Sequence, residues 1–150
     1  MSEKREILHN AFVIKKAYDS LWDDISEKYK LTRAEIDVIG FLANNPNLDT
    51  ARNVVEYRMI AKSHVSKAVE QLIERGFLMS SKDSKDRRQI HLMLTEAAKS
   101  VADDIIRRQI KFTEKMISGI SEEERRIYIK IAEKIARNAS DIIEEKLDFE

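Results

Sequence analysis

Apolar residues recur along this chain mostly at helical spacing, and the one stretch where they alternate instead marks a change of structure. Ile7, Ala11, Ile14, Tyr18, Leu21, Trp22 and Ile25 follow one another at intervals of four and three, which predicts a long first helix with a single apolar seam. Leu31-Thr32-Arg33-Ala34-Glu35-Ile36 then combines a capping box, Thr32 with Glu35, and a hydrophobic staple, Leu31 with Ile36. The helix it starts ends at Asn44-Asn45-Pro46, and Asp49 or Thr50 caps a short helix running to about Arg58. After a turn at Met59-Ile60-Ala61, the residues Val65, Ala68, Val69, Leu72 and Ile73 make one stripe of a helix that Gly76 stops.

Beyond Gly76 the period changes. Phe77–Ser81 and Gln89–Leu94 flank the polar run Lys82–Arg88, which predicts a hairpin with a long exposed tip, Ile90, Leu92 and Leu94 facing one way and His91 and Met93 the other. Thr95 is placed to cap a further helix striped by Ala98, Val101, Ala102, Ile105, Phe112 and Met116 and closed by Gly119. Ser121 with Glu124 forms a second capping box. It opens a last helix with Ile127, Ile131, Ile135, Ala139, Ile142, Ile143 and Leu147 on one face.

The fold class is therefore mainly α with a small β-hairpin. Helix, turn, helix and hairpin make a winged helix-turn-helix lobe over about residues 30–95, flanked by long helices in 1–29 and 96–150 of a single protomer. The terminal helices offer more apolar surface than one lobe can bury, which points to a homodimer about a two-fold axis; the plainer alternative is a monomeric helical bundle.

Composition narrows the function. A 150-residue chain with 43% apolar content supplies one ordinary core, and it shows no signal peptide and no apolar run long enough to span a bilayer, so a soluble cytoplasmic protein without membrane association is expected. It has no cysteine, and His9, His64 and His91 are scattered, so no metal site and no cofactor are expected. Neither an activated nucleophile, a carboxylate pair nor a phosphate-binding glycine loop stands out, which argues against an enzyme. Net charge is zero overall, but residues 50–90 hold nine basic against five acidic side chains, a local excess of +4. Positive charge gathers where the winged helix lies.

Double-stranded DNA is the partner this pattern suggests. Ser63, His64, Ser66 and Lys67 open the polar face of the predicted recognition helix as donors, while Glu70 and Glu74 lie further along where they would repel phosphate. The N-terminal half therefore enters the groove, against the alternative of a solvated helix face. In the tip, Lys82 and Lys85 serve as phosphate attractors, Arg87 enters a narrow minor groove, and Asp86 pairs with and orients Arg88. Arg52 and Arg58 are backbone contacts or surface charge. The expected activity is sequence-specific DNA binding as a homodimer on a pseudo-palindromic site. The alternative is a winged-helix protein-interaction module without DNA binding, for which apolar anchors in place of the tip arginines would be more natural.

Leu31-Thr32 with Glu35, Ser63-His64-Val65-Ser66-Lys67, Leu72 with Arg75-Gly76-Phe77-Leu78, Asp86-Arg87-Arg88 and Leu94-Thr95 together resemble the multiple antibiotic resistance regulator (MarR) family of bacterial transcription factors. The resemblance extends over nearly the whole chain. It implies an obligate dimer with a winged helix-turn-helix in each subunit, usually a repressor, often released from DNA by a small ligand. It also implies a cleft between the dimer helices and the DNA-binding lobe able to take a small aromatic ligand, which His9, Tyr18 and Trp22 would line if they are not core or dimer-interface residues. Two positions depart from the pattern. Met59-Ile60-Ala61 stands where relatives often have Gly and a Ser cap, and Ala98 where they frequently have Gly. The lack of cysteine excludes the thiol-based peroxide sensing of one branch.

Overall fold

The computed structural model describes residues 2–145 as seven helices and one hairpin, in two units divided between Phe112 and Thr113. The first unit holds α1 (Glu3–Asp19), α2 (Asp23–Tyr29), α3 (Arg33–Asn44), α4 (Ala51–Arg58), α5 (Lys62–Glu74), β1 (Leu78–Lys82), β2 (Ile90–Leu94), a short 3-10 turn (Glu96–Ala98) and most of α6 (Lys99–Met116). The second holds the end of α6 and α7 (Glu122–Glu145). The strands pair antiparallel with Leu78 opposite Leu94 and Lys82 opposite Ile90. Among the described residues no helix is long and apolar enough to cross a membrane.

Local chemistry sets most boundaries. Thr32 Oγ1 accepts the Glu35 N–H at 3.3 Å and Glu35 Oε2 accepts the Thr32 N–H at 2.6 Å, the reciprocal box expected at the start of α3. Leu31 and Ile36, the expected staple, are both buried. Thr50, rather than Asp49, caps α4, with Asn53 in the reciprocal position: each accepts the other's backbone N–H at 3.2 Å. Ser121 and Glu124 repeat the device before α7. At the other end of α5, the Phe77 N–H reaches the Leu72 carbonyl at 2.9 Å and the Gly76 N–H reaches Ile73 at 3.0 Å. This paired closure requires a left-handed residue, which Gly76 supplies at φ 77°.

The core of the first unit seats the recognition helix. Val65, Ala68 and Leu72 of α5 are buried with Val54 of α4, Ile36 and Ile39 of α3, and Leu78 and Leu92 of the hairpin. Trp22 and Ile25 enter from the α1–α2 region, and Val101, Ala102 and Ile105 from α6. α6 can lie close to α3 because position 40 is glycine: a Cβ there would stand 3.0 Å from Ile105 Cγ2. The Leu92 N–H donates to the Asp49 carbonyl at 2.7 Å, tying the hairpin to the segment before α4.

Several expectations need correcting. The N-terminal seam is not one helix. The Ser20 hydroxyl donates to the Ala17 carbonyl at 2.8 Å, and the Leu21 and Trp22 amides reach back three residues to Tyr18 and Asp19, so the chain tightens before α2 begins. The break lets Trp22 and Ile25 enter the core while Ile7 stays 56% and Ile14 40% exposed. Thr95 does not cap a helix, because its hydroxyl donates to the Gly76 carbonyl at 2.6 Å and a 3-10 turn intervenes before α6. Ile90 shares a face with Leu92 but is exposed, since it lies beyond the core at the tip end of β2. In α7 no residue is buried, and its isoleucines from Ile127 to Ile143 form an uncovered apolar stripe on this protomer. Leu147 falls outside the described residues.

Candidate nucleic-acid interface

With Val65, Ala68 and Leu72 facing inward, helical geometry turns Ser63, His64, Ser66, Lys67, Glu70 and Glu74 outward, away from the core. The turn before α5 answers the question raised by its missing glycine. Met59 itself takes the left-handed conformation at φ 53°, and the helix starts at Lys62 behind Ala61, whose side chain provides no cap. Ser63 is thus in the first turn of α5. Among the described residues the Lys62 and Ser63 amides have no backbone acceptor, while those of His64 and Val65 reach the Ala61 carbonyl, so the positive dipole end coincides with Lys62, His64 and Lys67. That end attracts anions; the Glu70–Glu74 end does not.

The tip is folded by its aspartates. Asp83 Oδ1 accepts the amides of Lys85 at 2.7 Å and Asp86 at 2.8 Å, and Asp86 Oδ1 accepts the amide of Arg88 at 3.0 Å. Two backbone bonds close the loop, Asp83 N–H to Gln89 at 3.0 Å and Gln89 N–H to Asp86 at 2.9 Å. These are side-chain-built turns of the kind aspartate favours. The Asp83 carboxyl is held at about 2, first by the Asp86 amide, then by His91 and the Lys85 amide.

The expected Asp86–Arg88 ion pair is therefore absent: the Asp86 carboxylate orders backbone, and among the described residues neither Arg87 nor Arg88 has an ion-pair partner. Both guanidinium groups are exposed with their donors available. Lys82 and Lys85 are exposed beside them. Asp86→Ala removes one negative charge yet loosens the loop, so it is expected to weaken DNA binding, because the freed tip must be ordered again on association. A titration over several salt concentrations in which Asp86→Ala bound more tightly would mean that charge, and not loop order, governs the tip.

Arg52 is exposed and bonds Glu56 at 2.7 Å. It borders an open cavity of about 440 Å³ with Thr50, Asp86, Arg88 and Gln89, so α4 begins alongside the tip. Arg58 is corrected: its guanidinium donates to Asp37 and, at 3.1 Å, to the Tyr18 hydroxyl, and so it braces the lobe instead of offering a surface charge. Asp37 also accepts from Arg33 Nε at 3.1 Å, and Arg33 reaches Asp19 at 2.9 Å. This chain of charges links α1, α3 and α4.

Of the three residues considered for a ligand, Tyr18 lines a cleft. That cleft, about 570 Å³, is bordered by Lys15, Tyr18, Asp19, Arg33, Asp37, Tyr57, Arg58 and Ile60. Trp22 is only 3% exposed and belongs to the core, where Tyr18 packs edge-on against it at 5.4 Å. His9 is exposed on α1 and is not among the lining residues. The grouping of Arg33, Asp37 and Arg58 across two elements is invisible in the sequence because each reads singly as surface charge.

Residues 29–89 match the model of the MarR family. The transcriptional regulator AdcR of Streptococcus pneumoniae is 40% identical over 45 residues, 30% of this chain and 31% of that protein, so the aligned stretch spans about a third of its length. The solved transcriptional regulator SlyA superposes with a TM-score of 0.79 at 21% identity, covering 94% of this chain and 99% of that one. The S. aureus MepR–DNA complex gives 0.69 at 16% identity, covering 92% and 98%. The transcriptional regulator PcaV of Streptomyces coelicolor, solved with its natural ligand, gives 0.66 at 25% identity, covering 87% and 92%. AdcR, SlyA and PcaV are transcriptional regulators, and the three solved structures share the fold of this chain.

Proposed function

We propose that this chain, whose residues 29–89 match the MarR family model, is a homodimeric, sequence-specific DNA-binding transcriptional regulator of that family, a repressor released by a small ligand. The observation that carries the DNA reading is the pairing of two exposed donor sets: Ser63, His64, Ser66 and Lys67 at the positive end of α5, and the unpaired Arg87 and Arg88 on an ordered tip. The first fits the edges of a major groove. The second fits an adjacent minor groove and its phosphates. Lys82, Lys85 and Arg52 add phosphate contacts at the flank. MepR, a neighbour in fold, has been solved on DNA, which supports the DNA reading.

The terminal helices, in residues 1–29 and 96–150, are assigned to the dimer. Ile7, Leu8, Phe12 and Val13 on α1, and the isoleucine stripe of α7, are all substantially exposed on the isolated protomer. Apolar area on that scale favours burial against a second copy. Two-fold symmetry would then set the recognition helices about 34 Å apart, matching successive major grooves of a pseudo-palindromic operator. Light scattering at micromolar concentration is expected to give twice the 17.5 kDa protomer mass; a 17.5 kDa species alone would reject the assignment.

The ligand is assigned to the cleft at Tyr18, whose two tyrosines and three cations, Lys15, Arg33 and Arg58, suit a small aromatic anion. Such an anion would compete with Asp19 and Asp37 for their arginines and so disturb the bracing of α4. Sequencing the fragments that the purified protein retains from a random DNA pool tests the whole reading. Enrichment of an inverted repeat is expected; no enriched sequence at moderate salt would overturn it.

A further inference from the structure

The imidazole of His91 stands between two carboxylates from distant parts of the chain. Nδ1 lies 2.8 Å from Asp49 Oδ1, and Nε2 lies 2.9 Å from Asp83 Oδ2. A carboxylate only accepts, so both contacts are hydrogen bonds at once only when both ring nitrogens carry protons. A neutral ring keeps one N–H and turns a lone pair toward the other carboxylate. One contact then becomes repulsive.

The two partners belong to different elements. Asp83 gathers the Lys85 and Asp86 amides through its other oxygen, so it anchors the arginine-bearing tip. Asp49 precedes the Thr50 cap of α4 and accepts the Leu92 N–H through its carbonyl. His91 therefore fastens the tip to the entrance of α4. Its partner across the hairpin is the neutral Ser81. On α4, Arg52 is engaged by Glu56, and on α3, Arg33 and Asp37 pair with each other while Glu35 is held in the helix cap. The charged groups that face the ring are thus Asp49 and Asp83. Both nitrogens are occupied by these direct bonds, and among the described residues no group of three or more His, Asp or Glu side chains is arranged to hold a metal ion.

We propose that His91 is a proton-dependent latch on the wing: the imidazolium holds the tip against the start of α4, and the neutral ring lets one end go. The latch itself stands on the geometry, while its consequence for operator affinity rests on the DNA-binding reading above. The two anions, Asp49 first and then Asp83, raise the His91 pKa above the ordinary imidazole value. A group whose folded pKa is raised contributes order that is complete below its unfolded pKa, about 6.5, and is lost as pH rises through the higher folded value. Operator affinity should fall over that same window, by up to about tenfold for each pH unit separating the latched and unlatched pKa.

The test follows the ring nitrogens of His91 and the amides of Lys85 and Asp86 by NMR in the full chain, from below to above about pH 6.5. The expected result is a doubly protonated ring at low pH, a midpoint above the ordinary value, tip amides that shift with that midpoint, and a lower midpoint in Asp49→Asn. A ring that titrates at or below the ordinary value, or tip amides indifferent to it, overturns the latch. DNA titrations over the same pH range form the second arm. His64 also lies on the DNA face, so His91→Gln, which keeps His64, is the comparison: it should flatten the part of the profile that coincides with the His91 midpoint, and an unchanged profile counts against the latch. Absence of DNA binding at every pH, with tip amides still titrating, would sink the DNA reading and uphold the latch.

Discussion

Asp37→Ala is expected to lower the unfolding free energy by about 3 kcal/mol, the range found when one partner of a buried ion pair is removed. Asp37 is nearly buried, its side chain 9% exposed, and it receives both Arg33 and Arg58. The two pairs are not equivalent. Arg33 is more than a third exposed and solvent screens its share, so the loss comes mainly from Arg58, only 26% exposed, whose guanidinium keeps the Tyr18 hydroxyl but loses its anion. Replacing both partners by apolar residues, Asp37→Leu with Arg58→Met, should recover much of the loss. Urea unfolding with an unchanged m-value gives the difference directly. A cost below about 1 kcal/mol for Asp37→Ala would mean that Arg58 finds water when its partner is removed.

Lys67→Ala and Ser66→Ala should each weaken operator binding by about 1 to 3 kcal/mol, while Glu74→Ala should leave it nearly unchanged. The contrast comes from position along one exposed helical face. Lys67 and Ser66 stand near the positive end of α5 and Glu74 is its last residue. None of the three is buried, so folding is little affected by any of them and the comparison isolates binding. Equal effects from all three in titrations at one salt concentration would place the helix differently on DNA.

What the sequence revealed and what it concealed divide along the range of the interactions. The Thr32–Glu35 and Ser121–Glu124 boxes and the closure at Gly76 depend on residues within five positions of one another, and each stands where the local pattern predicts it. The exposed face of α5 was legible for a related reason: Val65, Ala68 and Leu72 fix the helix rotation, and the donors follow. By contrast, the break at Ser20–Trp22 serves a core assembled from α3, α5 and α6, and an unbroken apolar seam runs through it in the sequence. Arg58 reads as surface charge until α1 and α3 bring Tyr18 and Asp37 to it. Asp86 next to arginines suggests a side-chain pair, but an aspartate two residues before an amide can equally close a turn, and the latter is what forms. The His91 bridge joins positions 42 residues apart, which no local pattern signals.

The central claim, that α5 and the wing tip grip DNA together, is tested most directly by the salt dependence of operator binding for the native chain and Arg87→Ala. Each phosphate that the protein neutralises releases counterions, so affinity falls linearly on log–log axes with a slope set by the number of neutralised phosphates. Arg87→Ala is expected to weaken binding and to flatten that slope by about one unit for each phosphate that its guanidinium neutralises. An Arg87→Ala protein with native affinity and native slope across the salt series would contradict the account, since the exposed, unpaired guanidinium of the tip would then not be touching DNA.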